Sequence, residues 1–159
     1  KCIMKTKPKN MTTSLYKEEK MKVKIKKLHV NSILPKYAKP GDAGMDLTVT
    51  KMETLDNYHV KYYFGIAIEI PNGYVGLIFP RSSIYKQGQL LSNSVGVVDS
   101  GYRGEICAVM MGNNNQIEYK VGDRAAQIVI FPYPQIEFIE SEDVSETERG
   151  TGGYGSTGK

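Results

Sequence analysis

The chain has 159 residues, of which 40% are hydrophobic and 24% are charged, and these proportions are typical of one ordinary globular domain. It contains no run of about 18 apolar residues, so the sequence predicts no membrane span. Two cysteines, Cys2 and Cys107, are too few for a disulfide framework. We therefore expect an intracellular protein, in the cytoplasm or, for a eukaryotic or viral source, in the nucleus.

The positive charge of the chain is confined to its beginning. Residues 1–27 contain ten lysines against Glu18 and Glu19, whereas the remainder has more acidic than basic residues. A nucleic-acid-binding domain carries its positive charge on the fold itself, so we expect no nucleic-acid partner. We interpret residues 1–20 as a basic, disordered leader, and Met21 as a candidate native start.

From residue 21 onward the hydrophobic pattern is that of short strands. Residues 23–30 nearly alternate between apolar side chains and lysines or histidine, as a half-exposed strand does. Stretches rich in Val, Ile, Tyr and Phe predict further strands at 46–49, 60–70, 74–79, 94–98, 105–111, 126–131 and 136–139. After Pro80 the pattern predicts one short helix, Ser82–Gln87, with Ser82 or Ser83 as its N-cap. Many short strands favour an all-β sandwich, jelly roll or barrel.

Beyond residue 139 the composition changes twice. Residues 140–148 are acidic and lose the apolar period, so we predict a folded domain at 21–139 followed by an acidic linker at 140–148. Residues 149–159 read RGTGGYGSTGK and contain five glycines. Such a segment does not hold a shape by itself, yet it carries a tyrosine ring and a guanidinium.

Arginine is rare in this chain and occurs only in turn-rich stretches. There are seventeen lysines but four arginines, found in FPRSS (Arg81), GYRGE (Arg103), GDRAAQ (Arg124) and ERGTGG (Arg149). A guanidinium offers a rigid fork of N–H donors that suits phosphate or carboxylate. Either each arginine braces its own loop through backbone carbonyls, or several share one anionic site.

Four other polar residues stand near the ends of predicted strands. Asn93 has a donor and an acceptor with which to read the edge of a ligand. Asp99 ends an apolar stretch and can orient or deprotonate a water molecule, or simply cap a turn. Gln127 enters an apolar strand and needs a partner in the protein or in a ligand. Asp46 can support a hard cation through water.

Five segments, taken in order, resemble the motifs of the trimeric dUTPase family, the dUTP pyrophosphatases. They are AGMDL (43–47), PRSSIYKQG (80–88), GVVDSGYRGE (96–105), GDRAAQIVI (122–130) and RGTGGYGSTG (149–158). The resemblance implies a jelly-roll-like, distorted β-barrel and a homotrimer whose active sites lie between subunits. It also implies Mg²⁺-dependent hydrolysis of dUTP to dUMP and pyrophosphate, which keeps uracil out of DNA and supplies dUMP for thymidylate synthesis.

The resemblance assigns roles within the third motif and just before it. Asp99 would orient and activate the water that attacks the α-phosphorus. Tyr102 would pack on the deoxyribose and leave no room for a 2′-hydroxyl. Asn93 and the backbone of the hairpin, including Gly96 and Val98, would bind uracil.

The other motifs are assigned to phosphate, metal and base. The resemblance implies that the phosphate chain is contacted by Arg81, Ser82, Ser83 and Gln127. Asp46 would support a hydrated Mg²⁺, whereas Arg103 and Arg124 would serve mainly loop and interface structure. In the terminal motif, Tyr154 would cover the uracil ring. The remaining substrate contacts there would be Arg149, Gly155, Ser156 and Thr157. We interpret residues 149–159 as a flap, mobile without nucleotide and ordered over a neighbouring subunit's site with it.

The residues fit triphosphate chemistry without the family. Such cleavage needs positioning and charge neutralisation more than covalent help, and no nucleophile with an adjacent base is evident, so direct attack by water is the simpler mechanism. Whether Asp99 takes the proton or chiefly orients the water stays open.

Three alternatives differ in what they require. A dCTP deaminase on the same fold needs a carboxylate beside the base, and residues 93–98 offer none. A non-catalytic nucleotide sensor would need neither Asp99 nor a complete terminal motif. An oligonucleotide-binding barrel needs positive charge on the fold, whereas residues 28–159 are acidic on balance.

Overall fold

A computed structural model describes residues 20–112 and 119–153, and within these ranges the chain forms ten strands and one short 3-10 helix. The strands are β1 (Lys24–Lys27), β2 (Met45–Thr48), β3 (Lys51–Thr54), β4 (His59–Tyr63), β5 (Ile66–Glu69), β6 (Tyr74–Pro80), β7 (Leu90–Leu91), β8 (Gly96–Val98), β9 (Cys107–Met111) and β10 (Arg124–Pro132). The 3-10 helix is Ser82–Gln87. Among the residues that the structure describes, no helix is long and apolar enough to cross a membrane.

The strands pair antiparallel in three sheets. One four-stranded sheet has the order β2-β10-β6-β8, the other has the order β3-β4-β9-β7, and β1 pairs with β5. Because several neighbours in a sheet are far apart in sequence, the chain crosses between sheets, as in a jelly roll. The three sheets do not join into a closed barrel, so the barrel is a distorted one. The prediction of an all-β, jelly-roll-like distorted barrel with one short helix is therefore confirmed.

The two four-stranded sheets share one core. On β4 the side chains of Val60 and Tyr62 are buried, while those of Lys61 and Tyr63 stay partly exposed on the other face. This alternation follows from the two-residue period of a strand. The same buried cluster receives apolar side chains from the other sheet, namely Leu47, Ile78 and Ile128.

The predicted strand at 60–70 is in fact two strands that belong to different sheets. The break lies at Gly65, which has φ +67°. A Cβ there would clash with the hydroxyl of Ser32 and would lie 2.9 Å from Thr50 Cγ2, so only glycine fits both the backbone and the space. The sequence does not reveal this kink, because the residues on both sides of it are apolar and buried.

Two further predictions about local structure were wrong. The N-cap of the 3-10 helix is Arg81, which is extended, and no side chain caps the helix, so Ser82 and Ser83 lie inside it. Residues 136–139 form no strand, and Ile136, Phe138 and Ile139 are 70%, 93% and 87% exposed. A strand needs a neighbour to pair its backbone groups, and the described part of this single chain supplies none there. We call residues 133–148 the C-terminal arm.

Candidate functional site

A cavity of about 200 Å³ lies beside β8, and we call it the hairpin cavity. Five residues assigned to the site from sequence line it: Asn93, Gly96, Val98, Asp99 and Tyr102. They are close together because the chain turns sharply before β8 and again after it. The residues assigned to uracil, to the sugar and to the attacking water thus line one continuous surface.

The turn before β8 is tight and strained. Val95 N donates to Asn93 O at 2.6 Å, and Ser94 N donates to Leu91 O at 2.9 Å. Ser94 has φ +60°, which is uncommon for a residue with a side chain and costs about 1–3 kcal/mol. Gly96 then passes close to β6, where a Cβ would lie 3.1 Å from the Cβ of Ile78. This geometry leaves the side chain of Asn93 exposed next to the cavity.

The turn after β8 holds Asp99 and Tyr102 together. Tyr102 N donates to Asp99 O at 3.0 Å. Arg103 Nη1 donates to Ser100 O at 2.6 Å and to Tyr102 O at 2.9 Å, so Arg103 braces its own loop, as one of the two interpretations predicted. The carboxylate of Asp99 is exposed in the single chain. It is therefore available to a water molecule or a ligand in the cavity.

A second cavity, of about 360 Å³, lies where β2, β10 and the 3-10 helix meet, and we call it the arginine cavity. Four residues assigned to the site from sequence line it: Asp46, Arg81, Ser82 and Gln127. Ser83 is half-buried and is not among the lining residues. The hydroxyl, amide and guanidinium groups around this cavity are suited to binding oxyanions.

The carboxylate of Asp46 bridges two arginines at this cavity. Arg81 Nε donates to Asp46 Oδ1 at 2.8 Å, and Arg124 Nη1 donates to Asp46 Oδ2 at 3.0 Å. Arg124 was assigned from sequence to loop and interface structure, but here it belongs to this ion-pair group. The reason is a bulge in β10 between Arg124 and Ala126, where the register against β2 shifts and Ala125 is the extra residue.

Gln127 finds a partner inside the protein. Its Nε2 donates to Pro80 O at 3.0 Å. Gly44 makes this position possible, because a Cβ there would clash with Gln127 Oε1 and lie 3.0 Å from Cδ. An amide NH₂ has two N–H donors, so one remains for a ligand.

The arginine cavity fits a hydrated metal ion better than a directly bound one. Within residues 20–112 and 119–153, no group of three or more His, Cys, Asp or Glu side chains could hold a metal. Mg²⁺ usually keeps several waters and binds one or two carboxylates together with substrate phosphates. Each oxygen of Asp46 accepts one bond from an arginine, and a carboxylate has about four acceptor positions. Asp46 can therefore also accept a hydrogen bond from metal-bound water.

The fourth arginine lies in a separate local turn. Arg149 Nε donates to Gly152 O at 2.9 Å, and Gly150 N donates to Thr147 O at 3.0 Å. Arg149 lines neither of the two cavities. The other predicted residues of the terminal motif, Tyr154, Gly155, Ser156 and Thr157, lie outside the described residues. Of the four arginines, only Arg81 and Arg124 thus converge in the described part of the chain.

Cys107 is a cavity residue that the sequence did not single out. It lines the hairpin cavity and also an adjoining cavity of about 330 Å³ that Asn93 and Gly96 share. Burial raises the pKa of the Cys107 thiol, and the nearby Lys61 ammonium opposes this rise. Cys107 lies between two buried residues, Ile106 just before β9 and Ala108 within it, so it faces away from the core. Residues 106–111 are all apolar, so the sequence gives no signal of this direction.

The sequence matches one family along most of its length. A family model described as dUTPase matches residues 30–158. The deoxyuridine 5′-triphosphate nucleotidohydrolase of Nautilia profundicola is 43% identical over 142 residues, covering 87% of this chain and 100% of that protein. The enzyme of the same name from Helicobacter pylori is 41% identical over 142 residues, covering 87% of this chain and 97% of that protein.

The fold also matches solved structures. The dUTPase of Staphylococcus bacteriophage 80alpha with dUPNHPP has a TM-score of 0.75 and 27% identity, covering 87% of this chain and 99% of that chain. A mutant dUTPase of phage phi11 of S. aureus, solved for the coordination of a structural Mg(II) ion, has a TM-score of 0.65. It is 24% identical over 77% of this chain, so it supports the fold alone.

Proposed function

Because the chain belongs to the dUTPase family, it is an enzyme that hydrolyses dUTP to dUMP and pyrophosphate, and we propose that a water molecule oriented by Asp99 attacks the α-phosphorus. One observation carries this proposal, namely that Asn93, Asp99 and Tyr102 line one cavity. In the reaction, the water oxygen forms a bond to the α-phosphorus, the bond to the bridging oxygen breaks, and pyrophosphate leaves. The exposed carboxylate of Asp99 accepts a hydrogen bond from the water and favours its attack.

The hairpin cavity would bind the nucleoside part of dUTP. The amide of Asn93 offers one donor side and one acceptor side, and a uracil edge presents a matching acceptor and donor. The backbone at Gly96 and Val98 supplies further hydrogen-bonding groups on the same surface. The ring of Tyr102 would pack against the deoxyribose, where an added 2′-hydroxyl would meet its face.

The arginine cavity would bind the phosphate chain. A guanidinium has five N–H donors, so Arg81 and Arg124 retain donors after pairing with Asp46. Ser82 and the second N–H of Gln127 add neutral donors. When bound, Mg²⁺ supplies positive charge that offsets the charge of the triphosphate. Asp46 is the residue that would accept a hydrogen bond from water bound to the metal.

We further propose a homotrimer in which different subunits complete each site. Within one chain, the hairpin cavity and the arginine cavity share no lining residue. The C-terminal arm also carries apolar side chains that are exposed in the single chain, including Phe138 at 93% and Val144 at 89%. Exposed apolar residues in such a group favour a protein partner. A second copy that covers the arm would bring the terminal motif, with Arg149 and Tyr154, to a neighbour's site.

A mixed-trimer experiment tests both proposals. The variants Asp99→Asn and Arg81→Ala are each expected to be nearly inactive alone. Coexpressed with different tags and purified through both, they form trimers of mixed composition. If one subunit supplies the hairpin cavity and another the arginine cavity, each mixed trimer contains one intact site, so roughly a third of the normal turnover returns. Mixed trimers as inactive as the two parents would contradict the shared site.

A further inference from the structure

Tyr102 is held on two sides by the residues that follow it. Its hydroxyl donates to Glu105 O at 3.2 Å. Its ring lies against Gly104, where a Cβ would clash with the hydroxyl oxygen and lie 2.5 Å from Cζ. The side chain at 104 must therefore be absent for the ring to take this position.

Glu105 is in turn tied to the centre of the fold. Gly65 N donates to Glu105 Oε1 at 2.8 Å. Gly65 is the kink between β4 and β5, and its carbonyl accepts bonds from Leu28 N at 2.8 Å and Ser32 Oγ at 2.5 Å. His29 Nε2 lies 3.7 Å from the same carboxylate oxygen. The Glu105 side chain thus anchors the end of the exposed 99–105 loop to a buried backbone position.

We propose that Glu105 is a positioning residue that sets the preference for dUTP over UTP. Its carboxylate fixes the loop end to Gly65, its carbonyl holds the hydroxyl of Tyr102, and the ring held in this way closes the space of a 2′-hydroxyl. This inference rests on the proposed contact of Tyr102 with the sugar. An apolar wall rejects an added hydroxyl by about 10²-fold, and a wall that can move aside rejects it less.

The experiment measures kcat/KM for dUTP and for UTP and follows their ratio. Glu105→Ala is expected to lower this ratio about tenfold. Glu105→Gln keeps an oxygen that accepts from Gly65 N–H, so it is expected to keep the ratio near the original. Glu53→Ala is the control, because the Glu53 carboxylate likewise accepts one hydrogen bond, from the hydroxyl of Tyr63 at 2.6 Å, but lies on an outer face of the fold. It should leave the ratio unchanged.

Two tyrosine variants separate the inference from its premise. If Tyr102→Ala leaves the ratio unchanged, the sugar contact itself is wrong. If Tyr102→Ala lowers the ratio and Glu105→Ala does not, only the role of Glu105 is overturned. Tyr102→Phe removes the hydroxyl alone, so it serves even if Glu105→Ala fails to fold, and an unchanged ratio in this variant overturns the proposal. When Glu105→Ala and Tyr102→Phe both fold, the double variant that combines them should lower the ratio no further than Glu105→Ala alone. Additive losses would mean that Glu105 acts independently of this hydrogen bond.

Discussion

Arg81 Nε donates to Asp46 Oδ1 at 2.8 Å and so links the start of the 3-10 helix to β2. The side chains are only 27% and 17% exposed, which limits screening of the pair by solvent. Arg124 uses the other oxygen of Asp46, and this arrangement holds two like charges side by side. The carboxylate therefore holds both guanidinium groups in place at the site proposed for the phosphate chain.

We expect Asp46→Asn to lower kcat/KM for dUTP by tenfold or more, on the order of the cost of losing one charge of a shielded pair. The amide has one oxygen, so it accepts from one arginine and presents N–H groups to the other. Asp42→Asn is the control, because Asp42 lines the same cavity but accepts from Lys39 N and from neither arginine. Steady-state kinetics over a range of Mg²⁺ concentrations check the cause. Full recovery at high Mg²⁺ would show that metal binding, and not the position of the arginines, was lost.

Asp99→Asn should lose turnover while keeping nucleotide affinity. Removal of a group that orients or deprotonates the attacking water lowers kcat by about 10²–10⁴-fold. The binding groups of the hairpin cavity are unchanged, so the Kd for dUPNHPP, measured by calorimetry, should stay within a few-fold. Asp123→Asn is a suitable control, because Asp123 accepts from Lys120 N at 2.8 Å in a surface turn. Retention of turnover in Asp99→Asn would remove Asp99 from the mechanism.

Cys107 should react slowly with iodoacetamide, and nucleotide should slow it further. Burial raises the pKa of its thiol, so the reactive thiolate forms at higher pH than in free cysteine. The alkylation rate should therefore lie below that of free cysteine at neutral pH and rise as the pH increases. A Cys2→Ser background leaves Cys107 as the one thiol. Because Cys107 lines the hairpin cavity, dUPNHPP should protect it. Equal rates with and without the nucleotide would place the nucleoside elsewhere.

The sequence predicts those parts of the fold that depend on local pattern. Short apolar runs predict β6 and β9 correctly, and each of these strands has one face on the core. The strands β3 and β7 were missed, since β3 is mostly polar and β7 has two residues, and both exist because a neighbouring strand pairs with them. Residues 136–139 show the reverse, a strand-like pattern for which residues 20–112 and 119–153 provide no pairing strand.

The candidate site likewise has one part that the local sequence pattern predicts and another part that it does not. The lining of the hairpin cavity from Asn93 to Tyr102 is nearly contiguous in sequence, so motif order was enough to group it. The pair of Arg124 and Asp46 spans 78 positions and depends on the bulge at Ala125. No local pattern specifies the direction in which a side chain leaves a bulge. The tie between Glu105 and Gly65 was missed for a similar reason, because the two residues are 40 positions apart in sequence and meet only where β4 pairs with β9.

Truncation after Glu148 should leave the fold and the oligomer intact and strongly reduce turnover. The hydrogen bonds of residues 149–153 in the described structure are local to the turn of Arg149 and Thr147, so their loss removes little from the core. The truncated chain keeps the C-terminal arm, and light scattering should still give the mass of three chains.

The same truncation removes Arg149 and the whole glycine-rich motif. Loss of oriented donors from a phosphate site costs about 10²-fold or more in kcat. A chain that lacks residues 1–20 is the control, and it should keep full activity because that leader precedes all five motifs. Full activity after truncation at Glu148 would mean that the terminal motif neither covers the base nor binds phosphate. A monomeric mass with the arm still present would instead contradict the proposal that the arm joins the subunits.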